Sequence, residues 1–88
     1  RRGCGAVVYQ KKIFIVGGSN GVSSLTSVEI FDPLTNEWIL TSQNDLNVPR
    51  VGPGVTVCQE KIYVIGGFDG RNFLKTIEVY DEINQRWR

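Results

Sequence analysis

Histidine is absent from this 88-residue sequence, and cysteine occurs only twice. The lack of histidine removes the commonest general base and metal ligand. Neither Cys4 nor Cys58 has the sequence partners of an activated nucleophile. These absences argue against an enzyme, so we predict no catalytic residue, no metal and no cofactor.

Charge of one sign and long apolar runs are also lacking. Ten basic residues balance nine acidic ones and are scattered along the chain, whereas nucleic-acid binding needs a clustered basic patch. The apolar runs are too short for a transmembrane helix, and no signal-peptide pattern opens the sequence. Two cysteines do not make the disulfide framework of a small secreted domain. We therefore predict no nucleic-acid partner, no membrane partner, free buried thiols and a cytoplasmic location.

The sequence contains one unit twice, with a shift of 49 residues and no gap. Fourteen of the 39 pairs that this shift creates are identical, and many others are conservative, such as Phe14 with Tyr63 and Phe31 with Tyr80. A period of this length is typical of solenoids, repeat arrays and propellers. We assign the two repeats to residues 1–49 and 50–88, the second being truncated at its outer strand.

Each repeat is predicted to form four short antiparallel strands. The apolar segments are four to six residues long, rich in β-branched and aromatic residues, and bounded by turn formers. The expected strands are 5–9, 12–16, 27–31 and 37–40 in the first repeat, and 54–58, 61–65 and 76–80 in the second, with a fourth strand ending at Arg88. Strands two and three are apolar at nearly every position, so both faces of each sheet are expected to be covered.

Glycine pairs end the second strand of each repeat, at Gly17-Gly18 and Gly66-Gly67. Glycine permits a positive φ and a close backbone approach there. Two-residue turns, Gln10-Lys11 and Gln59-Glu60, join the first two strands as tight hairpins, although they lack the usual glycine or asparagine.

A glycine pair after an apolar strand, an acidic residue within Val28-Glu-Ile-Phe-Asp32 or Ile77-Glu-Val-Tyr-Asp81, and a Trp six residues later resemble the kelch repeat. The segment from Leu46 to Gly54 and Ile62-Tyr-Val-Ile-Gly-Gly-Phe-Asp-Gly70 are similar to kelch-like proteins, which join a BTB module to a kelch propeller. The resemblance implies an all-β fold: two four-stranded antiparallel blades, a fragment of a six-bladed β-propeller, with the first strand of each blade nearest the central channel.

Kelch-like proteins bind partner peptides through the loops at one end of the channel, and the resemblance transfers that role to equivalent positions here. The partner-binding candidates are Arg1, Arg2, Ser19, Asn20, Arg50, Val51, Phe68 and Asp69. An arginine can hold a carboxylate with two hydrogen bonds, and Phe68 has no strand to pack in. On this interpretation, Arg50→Ala weakens partner binding and changes stability little.

Each candidate also has a structural interpretation. Arg1 and Arg50 can cap loop carbonyls or pair with a neighbouring acid, and Phe68 can fold over the adjacent loop. Glu29 and Glu78 lie within strands, where a buried carboxylate needs partners, so we expect structural acceptors. Trp38 and Trp87 are expected to pack between blades.

The resemblance implies a protein-interaction module that acts as substrate-recognition receptor of a cullin-based ubiquitin ligase. The cullin scaffold would be reached only through a BTB region outside this sequence. The alternatives are an actin-binding, cytoskeleton-organising kelch protein and, less favoured, a propeller oxidase whose metal ligands would lie in other blades. An upstream BTB and BACK region favours the first, co-sedimentation with filaments the second, and a His, Tyr and Cys cluster in other blades the third.

Overall fold

The computed structural model describes residues 1–39 and 44–88 and contains two four-stranded antiparallel sheets. Sheet order follows chain order in both, as the repeat predicts. We call the sheets blade 1 and blade 2. Blade 1 consists of β1 (Gly5–Tyr9), β2 (Lys12–Val16), β3 (Val28–Asp32) and β4 (Glu37–Ile39). Blade 2 consists of β5 (Gly54–Cys58), β6 (Lys61–Ile65), β7 (Ile77–Asp81) and β8 (Arg86–Trp87).

Four of the predicted strands have the observed bounds, and the third strand of each blade lies one residue further along the chain than predicted. Asp32 belongs to β3 because it pairs with Glu37 of β4. Ser27 lies outside β3, and its carbonyl accepts the Gly17 N–H at 3.0 Å. Leu40, predicted to end the fourth strand, lies outside the described residues.

The two hairpin turns adopt the left-handed conformation without glycine. Gln10 and Lys11 have φ values of 50° and 64°, and Gln59 and Glu60 have 50° and 63°. Positive φ at both central residues is the property of a type I′ turn, whose twist matches that of the flanking strands. The tight hairpins are therefore confirmed.

The hydrophobic core lies between the blades. We call front face the side of a blade that carries the first, third and fifth residues of its first strand, and back face the opposite side. The front face of blade 1, with Phe14, Val16, Val28 and Ile30, and the back face of blade 2, with Ile62, Val64, Tyr80 and Trp87, contribute buried residues to one cluster. Tyr9, Phe14 and Tyr80 pack edge to face, with ring centroids 5.7–6.4 Å apart.

A polar contact closes the outer edge of this interface. The Tyr9 hydroxyl donates to Glu82 Oε2 at 2.7 Å and lies 2.9 Å from the Glu60 carbonyl oxygen. The Gln10 amide donates to the same carboxylate. Burial, followed by the hydrogen bond to Glu82 and its charge, raises the pKa of Tyr9 to about 12.

Within the described residues only one face of each sheet is covered, and covering of the other face by a neighbouring blade stays a prediction. Ile65 and Ile77 on the front face of blade 2 are 44% and 53% exposed. On the back face of blade 1, Trp38 is 52% exposed, whereas its equivalent Trp87 is 3% exposed. Both indoles pack on the same strand-three aromatic ring, at 5.0 and 5.1 Å between centroids. Trp87 is buried because it belongs to the core cluster between the blades, and its Nε1 donates to the Asn44 carbonyl, at 2.7 Å, in the segment that joins them.

Both cysteines are free, as expected, but they are exposed rather than buried. Cys58 occupies the position of Tyr9 on the open front face of blade 2, where no sheet covers it. Within residues 1–39 and 44–88, no helix is long and apolar enough to cross a membrane.

Candidate functional site

The antiparallel strand order gathers most of the predicted site residues at one end of the blades. The loop between the second and third strands and the segment leading into the first strand both lie at that end, whereas the two hairpin turns lie at the other. We define the loop face as six of the predicted site residues that these segments carry, together with Phe73 of the same loop: Arg2, Ser19, Asn20, Val51, Phe68, Asp69 and Phe73.

Backbone bridges hold the lead-in segment of each blade against its loop. Arg2 and Ser19 exchange two N–H to carbonyl bonds of 2.9 and 2.7 Å. Val51 and Phe68, which stand 49 residues further on, exchange two bonds of 2.8 Å each. Ser19 and Phe68 then bridge onward to Ser24 and Phe73. The structure thus brings together Arg2 with Ser19 and Val51 with Phe68, in equivalent pairs.

Asn20 and Asp69 each use one side-chain oxygen to shape their own loop. Asn20 Oδ1 accepts two backbone N–H groups at 2.9 Å, and Asp69 Oδ1 accepts those of Arg71 and Asn72 at 2.8 and 2.7 Å. The hydrogen bonds from the Asn72 and Arg71 backbones lower the pKa of Asp69. These residues therefore order the loop face, in addition to any contact with a partner.

Phe73 belongs to the loop face, although the sequence analysis did not select it. Its ring is 84% exposed and packs on Phe68 with a centroid distance of 5.1 Å. The signal for it was present in the repeat, because Ser19 and Ser24 of the first unit become Phe68 and Phe73 together in the second. The two rings form an aromatic ledge at the end of blade 2. Phe68 therefore packs on its own loop, and the same pair of rings still exposes aromatic surface.

The loops of the two blades are close neighbours. A Cβ placed on Gly70 would lie 3.4 Å from the Ser24 hydroxyl oxygen. A residue of the second loop therefore lies against a residue of the first. The loop face is one surface with a polar half in blade 1 and an aromatic half in blade 2.

Arg50 does not lie on this surface, which corrects its selection as a partner-binding residue. Its side chain is fully buried, with Nε 3.1 Å from Glu78 Oε2. Its other nitrogens donate to the Gly66 carbonyl at 2.8 Å and to the Thr76 carbonyl and hydroxyl at 3.0 and 2.9 Å. Four hydrogen bonds within the chain occupy the guanidinium. The structure therefore supports the alternative in which Arg50 pairs with an acid and caps loop carbonyls.

Glu78 is a structural acceptor, as predicted. Besides Arg50, it accepts the backbone N–H groups of Asn47 and Val48 at 2.7 and 3.3 Å. The Asn47 amide contacts the same carboxylate at 3.1 Å and donates to the Trp87 carbonyl at 3.0 Å. The carboxylate thereby fastens the segment between the blades to β7.

Arg1 repeats the arrangement of Arg50 at the edge of blade 1. It donates to Glu29, to the Ser27 hydroxyl and, at 3.0 Å, to the Ser27 carbonyl. Its side chain is 16% exposed, and that of Glu29 is 53% exposed. Arg1 is therefore also committed within the chain, but it lies nearer the surface than Arg50.

Among the described residues, no group of three or more His, Cys, Asp or Glu side chains is placed to hold a metal ion. The polar groups of the loop face are backbone amides, the Arg2 guanidinium, the Ser19 hydroxyl, the Asn20 amide and the Asp69 carboxylate. Together with the exposed ring of Phe73 and the half-buried ring of Phe68, they suit hydrogen bonding and apolar contact with another molecule.

A family model for the Kelch motif matches residues 1–42 and 49–88, nearly the whole chain. The chain therefore belongs to the kelch-repeat family, and its two sheets are blades of a kelch β-propeller. Kelch repeats on this fold indicate a protein-interaction module.

Among individual relatives, kelch-like protein 7 of Rattus norvegicus and that of Mus musculus are each 45% identical to this chain over 42 residues. The match covers 48% of this chain and 7% of each relative, so the chain corresponds to a small part of their length. The solved structure of YjhT superposes on all of this chain with a TM-score of 0.84, over 36% of that protein and at 16% identity. At that identity the likeness shows the fold.

Proposed function

We propose that the loop face recognises a protein substrate and that the parent chain presents it to a cullin-based ubiquitin ligase. The aromatic ledge of Phe68 and Phe73 carries the proposal: Phe73 is exposed and Phe68 is half-buried beside it, and apolar surface of this kind is typical of a place where a partner packs. The similarity to kelch-like protein 7 supports the receptor role. The mechanism is binding without catalysis in the blades, and the site of action is the cytoplasm.

The partner contact is centred on blade 2. Phe73 is the most exposed aromatic residue of the loop face, and Val51 and Phe68 extend the apolar surface beside it. Arg2 and Arg71 add exposed positive charge at the rim. A partner segment with an apolar anchor flanked by acidic residues fits this combination. Actin binding stays a prediction from family resemblance, because none of these contacts favours it.

The test replaces the aromatic ledge with the residues of blade 1. Phe68→Ser with Phe73→Ser keeps a side-chain pair that the equivalent loop already contains, at Ser19 and Ser24. We expect the parent protein to lose about 2 kcal/mol or more of partner affinity, roughly thirtyfold in Kd. Affinity capture with quantitative mass spectrometry identifies the partner, and titration of that partner measures the loss.

The matched control removes equally exposed apolar residues from the opposite end of the blades. Leu34→Ser and Ile83→Ser act at positions 92% and 93% exposed, in the turns between the third and fourth strands. Binding should survive these changes. If the variant with Phe68→Ser and Phe73→Ser binds the captured partner as tightly as the wild type does, the loop face is not the recognition surface. A ledge-dependent partner that a reconstituted cullin complex fails to ubiquitylate would disprove the ligase role alone.

A further inference from the structure

Asn20-Gly21 is the one Asn-Gly pair in the sequence. It lies in the loop between β2 and β3, where the bridge between Ser19 and Ser24 closes a short turn. Asparagine is a chemically labile residue, because the backbone nitrogen of the next residue can attack its side-chain carbonyl carbon and close a cyclic imide. Glycine favours this attack, since it has no Cβ to crowd the nitrogen. The sequence therefore places its most reactive asparagine on the loop face.

The turn that contains this pair is open to solvent. Asn20 and Gly21 are both exposed, and the next residue, Val22, is 92% exposed. Beyond the chain neighbours of Gly21, no described residue comes within 4 Å of a Cβ built on it. Packing therefore does not hold the Asn20 side chain away from the Gly21 nitrogen, and water has access to the turn.

The hydrogen bonds around the pair are those that ring closure requires. Asn20 Oδ1 accepts the backbone N–H groups of Val22 and Ser23, each at 2.9 Å. Negative charge develops on this oxygen when the Gly21 nitrogen adds to the side-chain carbon, and the two N–H groups stabilise that charge. The Gly21 N–H donates to Ser19 Oγ at 3.1 Å. The hydroxyl can therefore relay to solvent the proton that the attacking nitrogen must lose.

The equivalent loop of blade 2 already contains the product of such a reaction. Asp69 takes the place of Asn20 and also precedes a glycine. Its Oδ1 accepts the backbone N–H groups of Arg71 and Asn72 at 2.8 and 2.7 Å. Its own N–H donates to the Asn72 carbonyl at 3.1 Å, as the Asn20 N–H donates to the Ser23 carbonyl at 3.3 Å. The same turn therefore accommodates an amide or a carboxylate at this position.

We propose that Asn20 is a site of spontaneous modification, and that the folded loop promotes its conversion to aspartate and isoaspartate through a cyclic imide. The Gly21 nitrogen bonds to Asn20 Cγ, and the side-chain amide group leaves as ammonia with the proton that the Gly21 nitrogen loses. One water molecule then opens the imide. Cleavage of the new bond from Cγ to nitrogen gives aspartate, whereas cleavage of the original peptide bond leaves isoaspartate, with the chain running through Cγ. The reaction needs no oxidant, enzyme or partner.

Each product adds one negative charge to the loop face, so the formal net charge of +1 falls by one. Aspartate keeps the oxygen that accepts the Val22 and Ser23 N–H groups, and Asp69 shows that the turn holds it. Isoaspartate inserts a methylene into the backbone and disrupts the bond from the Asn20 N–H to the Ser23 carbonyl. The first product changes the charge of the loop, and the second changes its conformation as well.

Incubation of the parent protein at neutral pH, followed by peptide mass spectrometry, tests the site. The residue at position 20 should gain the mass difference between an amide and a carboxylic acid, and isoaspartate should be detected there by enzymatic methylation. Asn72 is the internal control, because it is also exposed but precedes Phe73. Asn20 should convert at least about ten times faster than Asn72. Equal rates at the two positions, or no conversion of Asn20, overturn the proposal.

A synthetic peptide of residues 17–25 and the variant Ser19→Ala test whether the folded loop promotes the reaction. The peptide lacks the fixed hydrogen bonds, so the folded protein should convert at least as fast as the peptide. Ser19→Ala should keep the turn, because blade 2 forms it with Phe68 at the equivalent position. Loss of the proton acceptor should slow conversion about fivefold. Slower conversion in the folded protein than in the peptide would show that the loop protects Asn20, and the proposal would be wrong.

Asp69→Asn provides a matched comparison within one molecule. The variant has an Asn-Gly pair in each loop, and both side-chain oxygens have two backbone donors in reach. The loops differ in the preceding residue, which is Ser19 in blade 1 and Phe68 in blade 2. Position 69 should therefore convert about fivefold more slowly than position 20. Faster conversion at position 69 would contradict the part assigned to the Ser19 hydroxyl.

Discussion

At the scale of single residues, the pair formed by Arg50 and Glu78 determines how blade 2 is joined to the preceding segment. Both side chains are nearly inaccessible to solvent, at 1% and 5% exposure. Burying two charges is costly unless hydrogen bonds satisfy the remaining donors and acceptors. Here the arginine caps two loop carbonyls, and the glutamate accepts two backbone amides of the connecting segment. The pair therefore supports the conformation of three segments at once.

Replacement of Arg50 by alanine should leave a substantial fraction of the molecules unfolded. Arg50→Ala leaves a buried carboxylate without its counter-ion, and breaking such a pair costs about 3 to 5 kcal/mol. Denaturant unfolding followed by circular dichroism measures the loss. Arg2→Ala, on the exposed loop face, should change stability by less than about 0.5 kcal/mol. A cost below about 1 kcal/mol for Arg50→Ala would show that the pair is structurally dispensable.

The Tyr9 phenol should make stability fall at alkaline pH. Its pKa is raised from 10.0 to about 12 by burial and by the Glu82 carboxylate, so the folded chain favours the neutral phenol. This contribution is complete below pH 10 and is lost as the pH rises to about 12. Unfolding free energies measured across this window should fall less steeply for Tyr9→Phe and for Glu82→Gln. If both variants follow the wild-type profile, Tyr9 does not carry the alkaline loss.

The position of a site residue was predictable where the local sequence of the repeat determines it. It was not predictable where the partners of the side chain lie in distant loops. Local glycine and turn signals placed Ser19 and Phe68 in the loop after the second strand, and the kelch resemblance assigned that loop to the partner-binding end. The direction of the Arg50 side chain depends on Gly66, Thr76 and Glu78, which only the folded β6–β7 loop assembles. A signal was available, because Arg1 with Glu29 and Arg50 with Glu78 recur as pairs at the same spacing of 28 residues.

At the scale of strands and loops, regular local chemistry made the blades predictable. Short apolar segments rich in β-branched and aromatic residues, bounded by turn residues, predicted the number, order and pairing of the strands. The third strands begin one residue later than predicted because the carbonyls of Ser27 and Thr76 accept the glycine N–H groups of Gly17 and Gly66. That hydrogen bond joins residues ten positions apart in the chain and has no local sequence signal. The difference in exposure between the two tryptophans likewise arises from a segment outside their own strands.

The glycine that follows β2 should be less replaceable than its equivalent after β6. Gly17 and Gly66 have φ values of 67° and 66°, so alanine at either position has the same backbone strain, about 1 to 2 kcal/mol. A Cβ on Gly17 would also lie 2.3 Å from the Arg50 carbonyl oxygen, whereas on Gly66 the nearest atom is 3.3 Å away. We expect Gly17→Ala to cost about 1 to 3 kcal/mol more than Gly66→Ala. Denaturation midpoints of the two variants measure the difference, and equal midpoints would show that the blades do not require this close approach.

At the scale of the whole molecule, stability depends on one interface between two sheets that each have a second, open face. The buried apolar side chains of both blades belong to a single cluster. Folding of either sheet alone would leave its half of that cluster in water, so the blades should unfold together. Equivalent residues of the two repeats therefore differ in energetic importance, although their local surroundings within a sheet are alike.

Ile13 and Ile62 test this dependence, because they are the same residue at the same position of the repeat. Ile62 is fully buried against blade 1, whereas Ile13 is half-buried on the open back face. Ile62→Ala should cost about 2 to 5 kcal/mol, and Ile13→Ala should cost clearly less because no second sheet surrounds its side chain. Unfolding is measured at low protein concentration, by circular dichroism for both sheets and by fluorescence for the buried Trp87. Coincident transitions and unequal costs are expected. Equal costs, or separate transitions for the two probes, would mean that the blades are stabilised independently of the interface between them.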